Sequence, residues 1–285
     1  RELGDAGFPP IEVVTEGLPG EPVTMRGDLS SQYFSALAMV APYARGHMEI
    51  IVDGDLVSKP YIDLTADAMA AFGVTLNHDN HQKLWTESGQ RYRATEYPVE
   101  PDASAASYFF ALAAVTGGTV TVERLPATTR QGDITFVDVL EQMGCVVERG
   151  SQDVTVHGPD RLIGIEVDMN AISDTVMSLA AIAPFADGPV TIRNVGHIRL
   201  KETDRLSATA TELTRMGIQV DERPDSLTIY PGNPRPAVVE TYDDHRMAMS
   251  FAITGVKAGG LQIADPGCVS KTVPDFWQIL DRLVG

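Results

Sequence analysis

The chain has 285 residues, with 39 Asp and Glu against 22 Lys and Arg and a formal net charge of −17. At 44% hydrophobic and 21% charged it can bury a core, which excludes sustained disorder, and the acidic balance excludes a nucleic-acid binder, whose electrostatics need clustered cations. The longest apolar stretch, around Ser35–Tyr43, falls far short of the roughly 20 residues that span a bilayer, so a membrane protein is excluded as well.

In chain order, one pattern recurs. An acidic or Ser-bearing turn, Asp28-Leu-Ser-Ser-Gln32, opens a small-residue helix, and a strand-like run follows over His47–Val52. Lys59-Pro-Tyr-Ile-Asp63 then opens a second helix that ends at Phe72-Gly73, with Gly at the C-cap. The second round starts at Asp102-Ala-Ser-Ala-Ala106. It continues with a strand over Thr119–Glu123, a helix from Arg130-Gln-Gly-Asp133 to Met143-Gly144, and β-rich runs at Cys145–Glu148 and Val154–His157. The third starts at Ser173-Asp-Thr-Val-Met177. Its strand covers Val190–Arg193, its second helix runs from Lys201-Glu-Thr-Asp204 to Met216-Gly217, and its β-rich runs are Gln219–Glu222 and Ser226–Tyr230. The fourth starts at Asp243-Asp-His-Arg-Met247 and stops, after a strand over Leu261–Ile263, with the helix opened by Lys271-Thr-Val-Pro-Asp275. Asp28, Asp102, Asp174 and Asp244 are spaced by 74, 72 and 70 residues.

The unit reads β-α-β-α-β-β. It is longer than a solenoid repeat and holds both helix and sheet, so a compact α/β globule of a few such units is expected. Gly89–Tyr97 and Pro231–Pro236 are candidate linkers. The two cysteines, Cys145 and Cys268, sit in no CxxC or His/Cys cluster. A zinc centre or disulfide framework therefore has no support, and a reducing, cytoplasmic setting is the default.

Chemistry concentrates at the repeated turns. Ser and Asp at helix starts satisfy free N–H groups, and N-termini brought together by symmetric packing favour an anion. Three of the five lysines, Lys59, Lys201 and Lys271, stand with Arg130 at one place in the unit. Lys201 and Arg205 are four apart on one helix face and repel unless an anion compensates them, with Asp204 as one source. His245 beside Asp243, Asp244 and Arg246 suits proton transfer, although a lone His more often bonds locally and Asp244 with Arg246 is often a structural pair.

These motifs, taken together, resemble the 5-enolpyruvylshikimate-3-phosphate (EPSP) synthase family of enolpyruvyl transferases. The resemblance rests on Ser30-Ser31-Gln32, Leu56-Val-Ser-Lys-Pro-Tyr61, Asp102-Ala-Ser-Ala-Ala-Ser-Tyr108, Gln131-Gly-Asp133, Asp168-Met-Asn170 with Asp174, Lys201-Glu-Thr-Asp-Arg-Leu206, Asp244-His-Arg-Met-Ala-Met249, and Asp265-Pro-Gly-Cys268 with Lys271-Thr272, whose order and spacing match along residues 1–285. The match covers the C-terminal two-thirds of the family's chain. The family's N-terminal lysine and Gly-rich loop have no counterpart, and the chain starts at Arg1 rather than Met. A fragment or one half of a split protein is expected, with the N-terminal segment as its covalent or split partner.

The resemblance implies the two-domain α/β fold of βαβαββ units, an inside-out α/β barrel with four of six units present. Residues 1–99 would be part of the shikimate-3-phosphate domain and residues 100–285 most of the phosphoenolpyruvate (PEP) domain. It implies transfer of the enolpyruvyl group of PEP to the 5-hydroxyl of shikimate 3-phosphate, in aromatic amino-acid biosynthesis. It further implies no metal and no organic cofactor, no nucleic-acid or membrane partner, glyphosate as inhibitor, a monomer once complete, and little activity for the fragment alone. Carried onto this sequence, Ser30, Ser31 and Ser58 bind the 3-phosphate, with Gln32 and Tyr61 on the ring. Asp174 holds the ring hydroxyls and acts as base on the 5-hydroxyl, and Lys201 and His197 contact the same substrate. Lys201 also reaches the PEP phosphate. Glu202 exchanges a proton with the PEP methylene carbon. Arg205 and Arg246 hold the PEP carboxylate with Gln32 near, Lys271 holds its phosphate, and His245 assists. His197 stands where many members have Asn, which adds a pH dependence. The UDP-N-acetylglucosamine enolpyruvyl transferases share the fold but rely on a loop Cys outside this match. A non-catalytic binding fragment is the other reading.

Overall fold

In the computed structural model, which describes residues 1–285, strands β1 (Val23–Arg26) and β2 (Glu49–Asp53) lie parallel. Parallel neighbours need a crossover, and the helix α1 (Ser31–Val40) supplies it. Helix α2 (Pro60–Ala71) follows, and then a hairpin of β3 (Leu76–Asp79) and β4 (Lys83–Thr86). The strand order is β1-β2-β4-β3, with β4 antiparallel to both neighbours. Phe34, Ala38, Ile50, Ile62, Met69 and Leu84 form the core of this unit, Arg1–Tyr97. A side chain at Gly27 would meet the Asp55 carbonyl at 2.6 Å, so only glycine lets the loop before α1 lie against the loop before α2. There Val57 N–H donates to the Gly27 carbonyl at 3.0 Å.

The second unit, Pro98–Gly285, repeats this topology. Its elements are α3 (Ala103–Thr116), β5 (Thr119–Glu123), α4 (Phe136–Gln142), β6 (Val146–Arg149), β7 (Asp153–His157), β8 (Glu166–Asp168), α5 (Val176–Ile182), β9 (Val190–Arg193), α6 (Arg205–Arg215), β10 (Val220–Glu222), β11 (Leu227–Ile229), β12 (Ala237–Val239), α7 (His245–Ala258), β13 (Leu261–Ile263) and α8 (Phe276–Val284). The sheet β10-β11-β9-β8 has the connectivity and directions of the first sheet. The round containing α3 forms only β5-β7-β6, and the last round only the parallel pair β12-β13. The four sheets stay separate.

Sheets lie outside and helices inside. In the β5-β7-β6 sheet β5 alternates exposed with half-buried positions and β7 half-buried with buried ones, whereas all seven residues of α5 are buried, as are most of α3 and α7. These three helices pack on one another. Their small residues permit close approach, and some of the polar ones bond to one another or to the backbone within the core. Ser107 and Ser178 share a hydroxyl hydrogen bond of 2.7 Å, and Thr254 donates to the Ala181 carbonyl at 2.8 Å.

The repeated turns do not all serve as caps. Asp102 caps α3 by accepting from the Ser104 and Ala105 N–H groups, and Asp244 caps α7 by accepting from Arg246 N–H. In the first round Ser30 is the cap, while Asp28 is exposed and paired with Arg26. Asp174 lies before α5 in a 3-10 turn and caps nothing. Asp102→Ala is therefore expected to cost the Pro98–Gly285 unit about 1 kcal/mol, seen as a lower urea midpoint at unchanged slope. Asp28→Ala is expected to leave the midpoint where it was.

Candidate active site

In the first unit the candidate residues sit at the starts of α1 and α2. Ser30 Oγ accepts from Gln32 N–H at 3.2 Å, Ser31 is buried in the first turn, and Gln32 is exposed. Ser58 is buried with φ +54°, a left-handed conformation rarely adopted by serine. Lys59 and Pro60 follow it into α2, and Tyr61, half-buried, donates its N–H to the Ser58 carbonyl. Ser35 on α1 and Thr65 on α2 are joined at 2.8 Å, tying the two helices together one turn in. Two helix N-termini, two buried hydroxyls and a strained turn form a place where free N–H groups suit an anion.

In the second unit charge links the starts of α6 and α7 to the turn before α5. Arg246, on the first turn of α7, donates to Asp174 Oδ2 at 2.6 Å and to the buried Tyr108 hydroxyl of α3 at 3.2 Å. Arg205 opens α6 and is only 1% exposed. Its Nε donates to Asp244 Oδ2 at 2.7 Å, its Nη1 to Asp174 Oδ1 at 3.3 Å, and its Nη2 to Glu202 Oε2 at 2.6 Å. The other oxygen of Glu202 accepts from Lys271 Nζ at 2.7 Å. The chain of contacts Lys271–Glu202–Arg205–Asp174–Arg246–Tyr108 thus links the starts of α6 and α7 with Tyr108 of α3 and with the segments that precede α5, α6 and α8.

The surroundings set the protonation states. Burial pushes the Asp174 carboxyl up, but Arg246, Arg205, Lys201 and His245 outweigh it and hold it below the usual carboxylate range. Burial also works against ionised Glu202, yet the Lys271 hydrogen bond and the Arg205 charge bring it down to about 2. Burial, then Lys201, push His197 down to about 4, with Asp174 offsetting part of this. His197 is therefore neutral near pH 7, and the pH dependence expected of it lies in the acid range. Burial and Arg246 likewise lower His245. Both ring nitrogens of His245 and Nε2 of His197 are buried without a hydrogen-bond partner.

Of the candidates in this unit, Asp174, Glu202, Arg205, Arg246 and Lys271 come into direct contact. Lys201 and His197 act on the same group through their charge and polarity, and His245 Nδ1 stands 3.9 Å from Asp244. Two expectations change. Asp204 does not compensate Arg205: it pairs with Arg199 at 2.9 Å and caps α6 through Ser207 N–H. Asp244 does not pair with the Arg246 side chain: it accepts that residue's backbone N–H and places its carboxylate on Arg205.

Three further residues join or brace this network without a sequence signal that marks them. Tyr108 lies in a quoted motif but has no charge to mark it. Asp244 reads as an N-cap, and only its repeat equivalence to Asp174 hints at a shared partner. Glu212 on α6 is fully buried and accepts from the Tyr242 hydroxyl at 2.7 Å and from Glu240 N–H at 3.2 Å. It thereby braces the Tyr242-Asp243 turn, both residues of which have φ +56°, directly before Asp244.

Comparison with known proteins came from three directions. A family model described as EPSP synthase (3-phosphoshikimate 1-carboxyvinyltransferase) matches residues 3–280. The 3-phosphoshikimate 1-carboxyvinyltransferase of Nostoc punctiforme is 52% identical over 283 residues, covering 98% of this chain and 66% of that protein. That of Trichormus variabilis is 49% identical over 282 residues, covering 99% and 66%. A solved EPSP synthase from Acinetobacter baumannii superposes with a TM-score of 0.79 at 25% identity, over 99% of this chain and 66% of the other. The chain thus spans 66% of the length of these relatives.

Two outcomes are expected. Asp244→Asn leaves the buried Arg205 short of its most deeply buried carboxylate, and a urea melt at pH 7 should show a loss of about 3–5 kcal/mol. His197 binds its proton less readily folded than unfolded, so its contribution is complete above its ordinary pKa of 6.5 and is lost as pH falls from there to about 4. His197→Asn should flatten the stability profile within that window, measured as urea midpoints across it.

Proposed function

The chain belongs to the EPSP synthase family, and we propose that the whole protein transfers the enolpyruvyl group of PEP to the 5-hydroxyl of shikimate 3-phosphate, releasing phosphate. The observation that carries this reading is the double pairing of Glu202, with Lys271 on one oxygen and Arg205 on the other. An acid–base group is there held by the same cations that an anionic substrate would claim.

The chemistry requires the PEP methylene carbon to gain a proton while the 5-hydroxyl loses one and its oxygen bonds to C2. The proton on C3 then leaves again, the C2–O bond to phosphate breaks, and EPSP and phosphate result. As the site stands, Asp174 and Glu202 are both strongly anionic, and Glu202 at about 2 is a poor proton donor. PEP would draw Lys271 onto its phosphate, and Arg205 and Arg246 toward its carboxylate as bidentate forks. Each cation withdrawn raises the carboxyl it leaves. Glu202 then moves toward a pKa at which it can protonate C3, and Asp174 becomes a stronger base for the hydroxyl. Lys201 and neutral His197 would donate to substrate oxygens, Lys201 to the PEP phosphate too, and His245 would assist within the pocket of charge around Asp244. In the first unit Ser30, Ser31 and Ser58 would hold the 3-phosphate and Gln32 and Tyr61 the ring, with Gln32 also near PEP. Residues 1–99 would then serve shikimate 3-phosphate and residues 100–285 chiefly PEP. Competition by glyphosate for the PEP groups, a monomeric cytoplasmic protein, and little turnover by this chain alone belong to the same proposal.

Binding is tested first, by calorimetry on the 285-residue chain. Ser31→Ala and Ser58→Ala should each weaken shikimate 3-phosphate about tenfold, the loss of one hydrogen bond to a charged group, and Arg246→Lys should weaken PEP. In the whole protein, Glu202→Gln should slow solvent deuterium incorporation into the PEP methylene at least about 100-fold, the usual worth of a general acid–base group. An unchanged exchange rate would remove Glu202 from proton transfer.

A further inference from the structure

Away from these residues, the first unit gathers two imidazoles and a carboxylate. Asp63 lies in the first turn of α2, and His78 and His81 belong to the β3–β4 hairpin. Asp63 Oδ1 is 2.7 Å from His81 Nε2 and 3.6 Å from His78 Nε2. The two rings stack with centroids 4.2 Å apart and planes 21° from parallel. One donor atom from each residue lies within 4.8 Å of the others, and only Asp79 and Asn80, with its left-handed φ of +45°, separate the two histidines. No part of the proposed transfer chemistry uses this cluster.

We propose that Asp63, His78 and His81 form a binding site for a first-row divalent cation of the zinc type, pinning the β3–β4 hairpin to α2. Zinc takes imidazole nitrogen at about 2.0–2.1 Å and carboxylate oxygen at about 2.0–2.2 Å in a tetrahedron. By simple geometry, ligands at such distances stand about 3.4 Å apart. The Asp63–His78 separation is already close to this and the Asp63–His81 hydrogen bond needs to open by less than 1 Å, while the two stacked rings must turn apart for both in-plane Nε2 lone pairs to meet one ion. Both rings present the same kind of nitrogen, Nε2, to one carboxylate oxygen. Two imidazole nitrogens beside a carboxylate oxygen are the donor set that a borderline cation prefers. His78 Nδ1 accepts from His81 N–H at 3.4 Å, which puts the neutral ring's proton on Nε2. That contact is long and weak, so moving the proton to Nδ1 and freeing Nε2 costs little. With three protein ligands, water completes the shell. The cysteine pattern gives no sign of this site, because the donors are histidine and aspartate brought together by a turn.

The test uses the 285-residue chain with zinc alone, and cobalt as its spectroscopic substitute. Wild type should bind one zinc ion by competition with a chromophoric chelator, give cobalt absorption of tetrahedral intensity, and melt at a higher temperature with zinc. His81→Gln and Asp63→Asn should each weaken zinc at least tenfold and abolish the cobalt band. His78→Gln, which keeps a polar side chain at the hairpin, guards against loss by misfolding and should do the same while its far-ultraviolet circular dichroism stays that of wild type. Zinc affinity unchanged in these folded variants, or no binding by wild type at 100-fold molar excess, overturns the proposal.

Discussion

The Arg205 guanidinium is buried to 1% exposure, so the second unit is arranged around the need to balance it. Burying an ion costs several kcal/mol unless charges and hydrogen bonds replace its water. Asp244, Asp174 and Glu202 do so from three different segments, each aimed at a different nitrogen or edge of the fork. Two of these carboxylates are shared onward, Asp174 with Arg246 and Glu202 with Lys271. The result is a rigid alternation of charge in which no cation or carboxylate can change partner without disturbing its neighbour.

The same alternation reconciles an acidic protein with the anion site proposed for it. Around Arg205, four cations (Lys201, Arg205, Arg246, Lys271) face three carboxylates (Asp174, Glu202, Asp244), an excess of one positive charge in a chain of net charge −17. The starts of α6 and α7 add the positive ends of their helix dipoles. Local potential is set by such placement rather than by the sum over the surface, where screening acts within about 8–10 Å at physiological salt.

Much of this was legible in the sequence. The spacing of Asp28, Asp102, Asp174 and Asp244 marked the repeat, and the strands expected at Thr119–Glu123, Val190–Arg193 and Leu261–Ile263 occur at those residues. Short-range signals suffice there: apolar alternation, a Gly stop and a cap. The partners of the charges were less legible, because they are set by packing between repeats. Asp174 and Asp244 occupy one slot of the unit, and both face Arg205. Asp102, in the same slot, caps α3, and Asp28 bonds to the exposed Arg26. Nothing local distinguishes these four fates. The missing opening strand of the round containing α3 is equally non-local, since residues 91–100 carry no strand and include Pro98, which cannot donate to a ladder. The Asp63–His78–His81 cluster was hidden for the reverse reason: a hairpin turn, not a motif, closes the distance.

His197 shows how burial decides what a residue type can do. Exposed, an imidazole would switch charge near neutrality and make any site it lines pH-sensitive. Beside Lys201, and shielded from water, the ring is held neutral to about pH 4, so it offers an N–H donor and an acceptor much as an amide would. A histidine at this position, which looks like the introduction of a titrating group, is thus a neutral polar side chain near pH 7. What fixes the chemistry is not the side chain's ordinary pKa. It is the free energy of placing a positive charge where water is excluded and, in second place, beside Lys201, a cost that the Asp174 carboxylate offsets only in part.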